Sequence, residues 1–378
     1  MSRPSAPETR TVPEQDLPWE KRSRAERDVI ALVILWSLEE PARVGEVAFV
    51  HGASVLGRGP ATEDDTSRRL AFVRQRPGHN EARAPIGGSR ISRQQLELRP
   101  LDDGTLEVAC IGRIPLVVRG AEVKKAVVRP GDTIALKNAL LLYVTTRPPK
   151  LPAPTGSLGT GFAFGEADPF GIVGESPSAW RLRETLAIAA SSPQHVLVQG
   201  PSGSGKELAA RAIHGLSSRS ERPIVARNAA TFPEGLVDAE LFGNAKNYPN
   251  SGSPERAGLV GEADGSVLFL DEIGELPPAM QAHLLRVLDT GGEYQRLGES
   301  KARRSDFRLI AATNRDLDAL KHDFAARLTV RLTTPELAER REDIPLLVRT
   351  LLFRRAAEVP DLKTRFFEPD ASGKLQRR

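Results

Sequence analysis

The chain has 378 residues, enough for two domains that each bury a core. Its 53 Lys and Arg against 49 Asp and Glu give a formal charge of +4, an excess too mild and too evenly spread to argue a nucleic-acid partner. Cys110 is the single cysteine, which excludes an intramolecular disulfide, and the longest apolar run, Val29 to Trp36, is far short of the ~20 residues that span a membrane, so a soluble cytoplasmic protein is expected.

Residues 1 to 28 are polar, charged and punctuated by proline, and are expected to be disordered because they offer too little apolar surface to offset ordering entropy. From Val29 the pattern turns to short β-rich runs: Val29 to Trp36, Val47 to Val50, Leu70 to Val73, Leu96 to Leu101, Leu106 to Ile111, Leu116 to Val118 and Ile134 to Val144. Turn formers such as Asp102-Asp103-Gly104 separate several of them, and no helix of normal length interrupts, which predicts an all-β sandwich over 29–146. Residues 147–169 are rich in Pro, Gly, Ala, Ser and Thr and read as an interdomain linker. Beyond it, a helix opening at Ser176-Pro177 is followed by apolar strands at His195 to Gln199, Pro223 to Arg227, Ser266 to Leu270 and Phe307 to Ala312, with helical segments between them. That alternation predicts a parallel sheet covered on both faces, with ligands at the strand C-terminal ends.

Chemistry concentrates in Gly200-Pro201-Ser202-Gly203-Ser204-Gly205-Lys206-Glu207-Leu208, which joins the strand at His195 to a helix. Glycines at a strand-to-helix turn let backbone N–H groups close around a phosphate, the helix N-terminus adds partial positive charge, and Lys206 can reach β- and γ-phosphates. ATP with Mg²⁺ is the expected cofactor. Glu207 occupies the place of the Ser or Thr hydroxyl that usually meets the metal, so Mg²⁺ must depend on nucleotide oxygens, water and another acid. Phe269-Leu270-Asp271-Glu272 supplies that acid at the tip of a second buried strand: Asp271 is placed to hold Mg²⁺, and Glu272 to orient the water that attacks the γ-phosphate.

Residues 171 to 344 resemble the AAA+ ATPase domain of the bacterial enhancer-binding proteins, activators of sigma-54 RNA polymerase. The shared words are Gly171-Ile172-Val173-Gly174-Glu175-Ser176, the phosphate loop with Glu207, Ala239-Glu240-Leu241-Phe242-Gly243, Phe269 to Pro277, His283 to Leu288 and Ile310 to Leu317. The resemblance implies nucleotide contacts from Ile172 and Val173, coupling of Asn228 to the catalytic glutamate, and a γ-phosphate sensor at Asn314. It also implies a ring, expected as a hexamer, in which arginines from a neighbouring subunit complete the site. Arg331 matches one of these, Ala325 stands at the other position, and Arg327 lies nearby. The family's helical lid, with its Trp-Pro-Gly-Asn word, and its DNA-binding helix-turn-helix find no counterpart, so 345–378 is read as a truncated lid and direct operator recognition is not expected. Where the family carries the sigma-54-gripping loop Gly-Ala-Phe-Thr-Gly-Ala, this chain has Asn247-Tyr248-Pro249-Asn250-Ser251-Gly252, which implies a changed or lost partner: sigma-54 polymerase or a related regulator.

Residues 29 to 146 resemble a forkhead-associated domain through Leu56-Gly57-Arg58-Gly59, Ile91-Ser92-Arg93-Gln94-Gln95-Leu96 and Pro130-Gly131-Asp132. That family binds phosphothreonine peptides, and Arg58, Ser92 and Arg93 fall on its phosphate-contacting positions. Gln95 replaces the usual histidine, and the loop asparagine is lost near Arg113 to Pro115. A sandwich kept for protein contacts without phosphate binding is the other reading. For the whole chain, an ATP-hydrolysing transcription regulator stands against an adapter that uses nucleotide only structurally.

Overall fold

The computed structural model describes residues 28–60, 69–154, 161–233 and 235–359; all but one residue of the N-terminal stretch expected to be disordered, and the polar tail from 360, lie outside these. The chain divides into two compact units, one holding 28–154 with 161–180 and 340–359, the other holding 181–339.

The first unit is built on twelve strands in two sheets. Strands β1 (Val29–Ser37), β2 (Val47–Phe49), β4 (Val73–Arg76), β5 (His79–Ala82), β8 (Leu116–Val118), β9 (Ala121–Val123), β11 (Thr133–Leu136) and β12 (Leu140–Arg147) form a sheet ordered β5-β4-β2-β1-β12-β11-β8-β9. Strands β3 (Ser54–Leu56), β6 (Leu96–Pro100), β7 (Leu106–Cys110) and β10 (Lys125–Val128) form a second, ordered β10-β7-β6-β3. Alternation decides which residues face inward: along β6, Leu96 and Leu98 are buried while Glu97 and Arg99 are exposed. Leu32, Ile34 and Leu142 from one sheet and Leu56, Leu98 and Val108 from the other belong to one shared core. The run Ile134 to Val144, expected as a single strand, is two, because Asn138 adopts a left-handed φ of 55° and turns β11 back onto β12. The strand expected at Leu70 to Val73 begins only at Val73. Strands β3, β5, β9 and β10 are three or four residues each, and β5 is largely exposed, too little apolar signal to be read in advance. Within the stretch expected to be a linker, Leu151 and Asp168 are buried.

The second unit carries a five-stranded sheet ordered β14 (Val225–Asn228), β15 (Val267–Asp271), β18 (Arg308–Thr313), β13 (Val196–Gln199), β19 (Val330–Thr333), all parallel. Strands β15 and β18 are buried almost throughout, as expected of strands covered on both faces. The hairpin β16 (Glu293–Tyr294) and β17 (Arg303–Arg304) stands apart from that sheet. Across both units the α-helices among the described residues are, in chain order, α1 (Pro177–Ser191), α2 (Lys206–Leu216), α3 (Val237–Phe242), α4 (Leu259–Glu262), α5 (Pro278–Asp289), α6 (His322–Arg327) and α7 (Ile344–Glu358), the last in the first unit. Strand β19 was not anticipated; two of its four residues, Arg331 and Thr333, are polar and not buried, so no apolar run marks it. Buried Arg308 at the start of β18 donates to Gln194 O at 2.8 Å and to the α1 carbonyls of Ala190 and Ala189 at 3.4 and 2.7 Å, satisfying acceptors that a helix end leaves open.

Candidate functional site

Gly200 to Gly205 link β13 to α2, and the backbone there is one that only glycine adopts readily: Gly203 and Gly205 have φ of 76° and 97°. Gly205 therefore caps α2 without a side chain, leaving the first N–H groups of an 11-residue helix directed at whatever lies beyond. Lys206 at the first helical position is only 6% exposed. Its Nζ donates to Gly200 O at 3.1 Å and Pro201 O at 3.2 Å and stands 3.7 Å from Glu272 Oε1, so a nearly buried ammonium has both hydrogen bonds and a counter-charge. Thr334, fully buried after β19, shares a 2.6 Å hydrogen bond with Ser204 Oγ and donates to Gln199 O at 3.2 Å; a side chain on Gly200 would collide with its hydroxyl. Thr334 thus fixes the loop from below. It belongs to no motif, and sequence reasoning missed it. Pro201 and Ser202 are exposed at the tip, Leu208 lies in the first turn of α2, and Glu207 turns away along the helix to pair with Arg211 at 2.6 Å.

Asp271 and Glu272 close β15, and Asp271 Oδ1 accepts from Glu272 N at 3.0 Å. Glu272 sits at φ 50°, a left-handed conformation unusual for a residue with a side chain and of the kind found at functional turns. Asn228 pairs in register with Asp271 across β14 and β15, and its side-chain oxygen accepts from Ala230 N at 2.8 Å. Asn314 is exposed just past the end of β18, the strand beside β13. The structure thus brings Lys206 and Glu272 together and sets Asp271 and Asn228 beside them. The donor set suits a polyphosphate: turn N–H groups, one lysine, and carboxylates beyond them. Asp271 and Glu272 are the carboxylates beside Lys206 that could hold a divalent cation there.

The two arginines are engaged within the unit. Arg331 donates to Ala325 O at 2.9 Å and Leu328 O at 3.4 Å, Arg327 pairs with Asp289, and Ala325 is buried in the core. Ile172 and Val173 belong to the other compact unit, where both are buried and Val173 packs with Val44 and Leu346.

In the β-sheet unit, the loops carrying Arg58, Ser92 and Arg93 converge. Arg58 N donates to Ser92 O at 2.9 Å, Arg58 Nη1 to Ser89 O at 3.2 Å, and Ser92 Oγ accepts from Arg113 N at 3.0 Å. Arg93 is exposed, and a side chain on Gly57 would collide with its carbonyl oxygen. Gln95 holds this cluster: fully buried, its Oε1 accepts from Ser92 N at 3.2 Å and Ile114 N at 3.4 Å, while Nε2 donates to Ile114 O at 2.8 Å. An amide can do both at once, so Gln95 ties the Ser92 loop to the Arg113 loop.

A family model described as the Sigma-54 interaction domain matches residues 172–338. Over 212 residues the chain is 45% identical to the transcriptional regulatory protein ZraR of Escherichia coli K12, covering 54% of this chain and 48% of that protein. It is 44% identical over 191 residues to the Nif-specific regulatory protein of Rhizobium etli, covering 49% of this chain and 32% of the other. Among solved structures, NtrX from Brucella abortus in complex with ATP aligns with a TM-score of 0.48 and 36% identity, over 55% of this chain and 47% of that one. The chain spans about half the length, or less, of the curated relatives it matches. Among the described residues no helix is long and apolar enough to cross a membrane. Residues 172–338 are therefore similar to a sigma-54 interaction domain, and about half of the chain is similar to transcriptional regulatory proteins.

Proposed function

We propose that this chain binds ATP with Mg²⁺ at the phosphate loop and hydrolyses it in a ring of subunits, as part of transcription control. The observation that carries the reading is Lys206, held between two loop carbonyls and Glu272: arriving phosphate oxygens replace the carbonyls on the ammonium and free Glu272 for water. Asp271 would hold the metal, which supplies charge neutralisation between the β- and γ-phosphates. Asn314 would read the γ-phosphate, Asn228 would steady Glu272, and Arg327 or Arg331 would serve a neighbour's site. ATP turnover measured across protein concentration tests this; turnover that rises with concentration and vanishes in Glu272→Gln supports it.

A second reading has its own observation. Ala325 at one arginine position is buried, and Arg327 is paired to Asp289, which favours an adapter that binds nucleotide without hydrolysis. Absence of turnover at every concentration, with ATP binding intact, selects it. In either case we infer that the β-sheet unit is forkhead-associated in kind and reads phosphothreonine through Arg58, Ser92 and Arg93. A phosphothreonine peptide library that binds no better than its unphosphorylated control sinks that assignment.

A further inference from the structure

Three donors crowd one carbonyl of the glycine-rich loop. Pro201 O is approached by Lys206 Nζ at 3.2 Å, by Ser204 N at 3.2 Å and by Ser204 Oγ at 2.8 Å. A carbonyl oxygen has two lone pairs, so one of these donors has to place its hydrogen elsewhere. The backbone N–H cannot turn away, which leaves the ammonium and the hydroxyl as competitors.

The hydroxyl has a second acceptor. Ser204 Oγ stands 2.6 Å from Thr334 Oγ1, which in turn stands 3.2 Å from Gln199 O. Each hydroxyl carries a single hydrogen, so the pair has two complete arrangements. In one, Ser204 donates to Thr334, Thr334 donates to Gln199 O, and Pro201 O is left to Lys206. In the other, Thr334 donates to Ser204, Ser204 donates to Pro201 O, and Lys206 has lost that acceptor. Thr334 is fully buried, so its hydroxyl answers to these partners rather than to solvent. Gly200, at φ 155°, makes the approach possible: a Cβ there would lie 2.1 Å from Thr334 Oγ1 and 2.8 Å from Ser204 Oγ.

The first arrangement keeps the bonds Lys206 to Pro201 O, Ser204 to Thr334 and Thr334 to Gln199 O; the second keeps one fewer. The empty loop therefore rests in the first, and it is Thr334 that draws the Ser204 hydrogen out of the way of the ammonium.

We propose that Thr334 is a positioning residue that parks Lys206: by accepting from Ser204 it leaves Pro201 O to the ammonium and so sets what the lysine gives up when it turns to phosphate. The inference rests on the reading of this loop as a phosphate site. Without the Thr334 hydroxyl, Ser204 keeps Pro201 O as its acceptor, contests it with Lys206 while the loop is empty, and fills it once the lysine has moved to phosphate. Removing a buried hydroxyl beside the loop should therefore tighten phosphate binding, the reverse of what loss of a mere structural support does.

The test uses the full chain, titrated calorimetrically with inorganic triphosphate and with ATP, each with Mg²⁺. Thr334→Val keeps the shape and removes the hydroxyl, and it should bind both about fivefold tighter, the worth of one net hydrogen bond. Thr334→Ala, which removes the hydroxyl without restoring the branched shape, is held to the same direction, and Thr334→Ser should match wild type. Ser204→Ala should stay within about twofold of wild type, and adding Thr334→Val to it should change nothing further. Weakened or unchanged binding in the hydroxyl-free variants, or the same tightening with and without the Ser204 hydroxyl, overturns the parking role. If wild type itself binds neither triphosphate nor ATP, the phosphate-site reading has failed; if it binds both and Thr334→Val binds no tighter, only the role of Thr334 has failed.

Discussion

Lys206 and Glu272 meet head to head at 3.7 Å, one opening α2 and the other following β15. The carboxylate proposed to orient water is also the counter-charge of the lysine proposed to take phosphate. The two substitutions should therefore separate binding from chemistry. Lys206→Ala removes the cation and should weaken ATP by about tenfold or more with the fold retained. Glu272→Gln relieves the competition for Lys206 and should bind ATP at least as tightly, while turnover falls by a factor of about 10² or more, the usual worth of a positioned general base. A nucleotide titration and a steady-state assay on the same two proteins read both; an affinity lost equally in each would place Glu272 in binding alone.

Gly57 is enclosed by the Arg93 carbonyl and the Arg69 guanidinium, so Gly57→Ala forces backbone apart between the Arg58 and Ser92 loops. Overpacking of this kind costs about 1–3 kcal/mol. Thermal unfolding of the β-sheet unit should shift down, and phosphopeptide binding should fall with it. An unshifted transition would mean that the two loops are free to separate.

Burial, with Arg308 and Arg219 nearby, pushes His195 down from 6.5 to about 4, and its Nδ1 accepts from Leu309 N at 3.0 Å, a bond that only the neutral ring can make in this orientation. Between about 6.5 and about 4 the unfolded chain binds a proton that the folded chain refuses, so this stabilisation is complete above pH 6.5 and lost as pH falls toward 4. The shift corresponds to roughly 3 kcal/mol across the window. In His195→Asn the amide oxygen can still take the Leu309 N–H but does not titrate. On acidification from pH 7.5 to 5, wild type should lose more melting temperature than this variant; equal losses would trace the pH dependence to other groups.

The strand-to-helix turn at Gly200 to Gly205 and the strand end at Asp271 were legible because glycines and apolar runs mark them in the sequence. What escaped is what contacts across the chain create. Thr334 supports Gly200 and Ser204 through one hydroxyl, and a threonine after a short strand announces nothing. Arg308 reads as a surface charge until its three carbonyl partners are seen. Gln95 read as a departure from a family histidine, yet its amide makes the loop contacts itself. The proline- and glycine-rich stretch after Arg147 suggested a spacer because composition cannot show that Phe162, Phe164 and Glu175 would find Arg76.

The loop after Gly243 gives the last prediction. Asn244, 7% exposed, donates through Nδ2 to the carbonyls of Ala245, Tyr248 and Pro254 at 3.0, 3.2 and 2.9 Å, which gathers both ends of the loop onto one side chain. Asn247 N donates to Ser253 O at 2.8 Å, Ala245 N donates to Leu297 O at 2.9 Å, and Tyr248 covers Gly298. A loop tied at these points has little freedom to extend, and where the resembling family presents Phe and Thr it presents Pro249 and Asn250. We expect that the purified chain, with sigma-54 holoenzyme, a supercoiled sigma-54 promoter and ATP, does not form open complexes. Robust open-complex formation by the unmodified chain would overturn this. If replacing Asn247 to Gly252 by Gly-Ala-Phe-Thr-Gly-Ala confers activity, the block lies in the contact atoms of the loop; if it does not, and Asn244→Gly added to it does, the block lies in the tether.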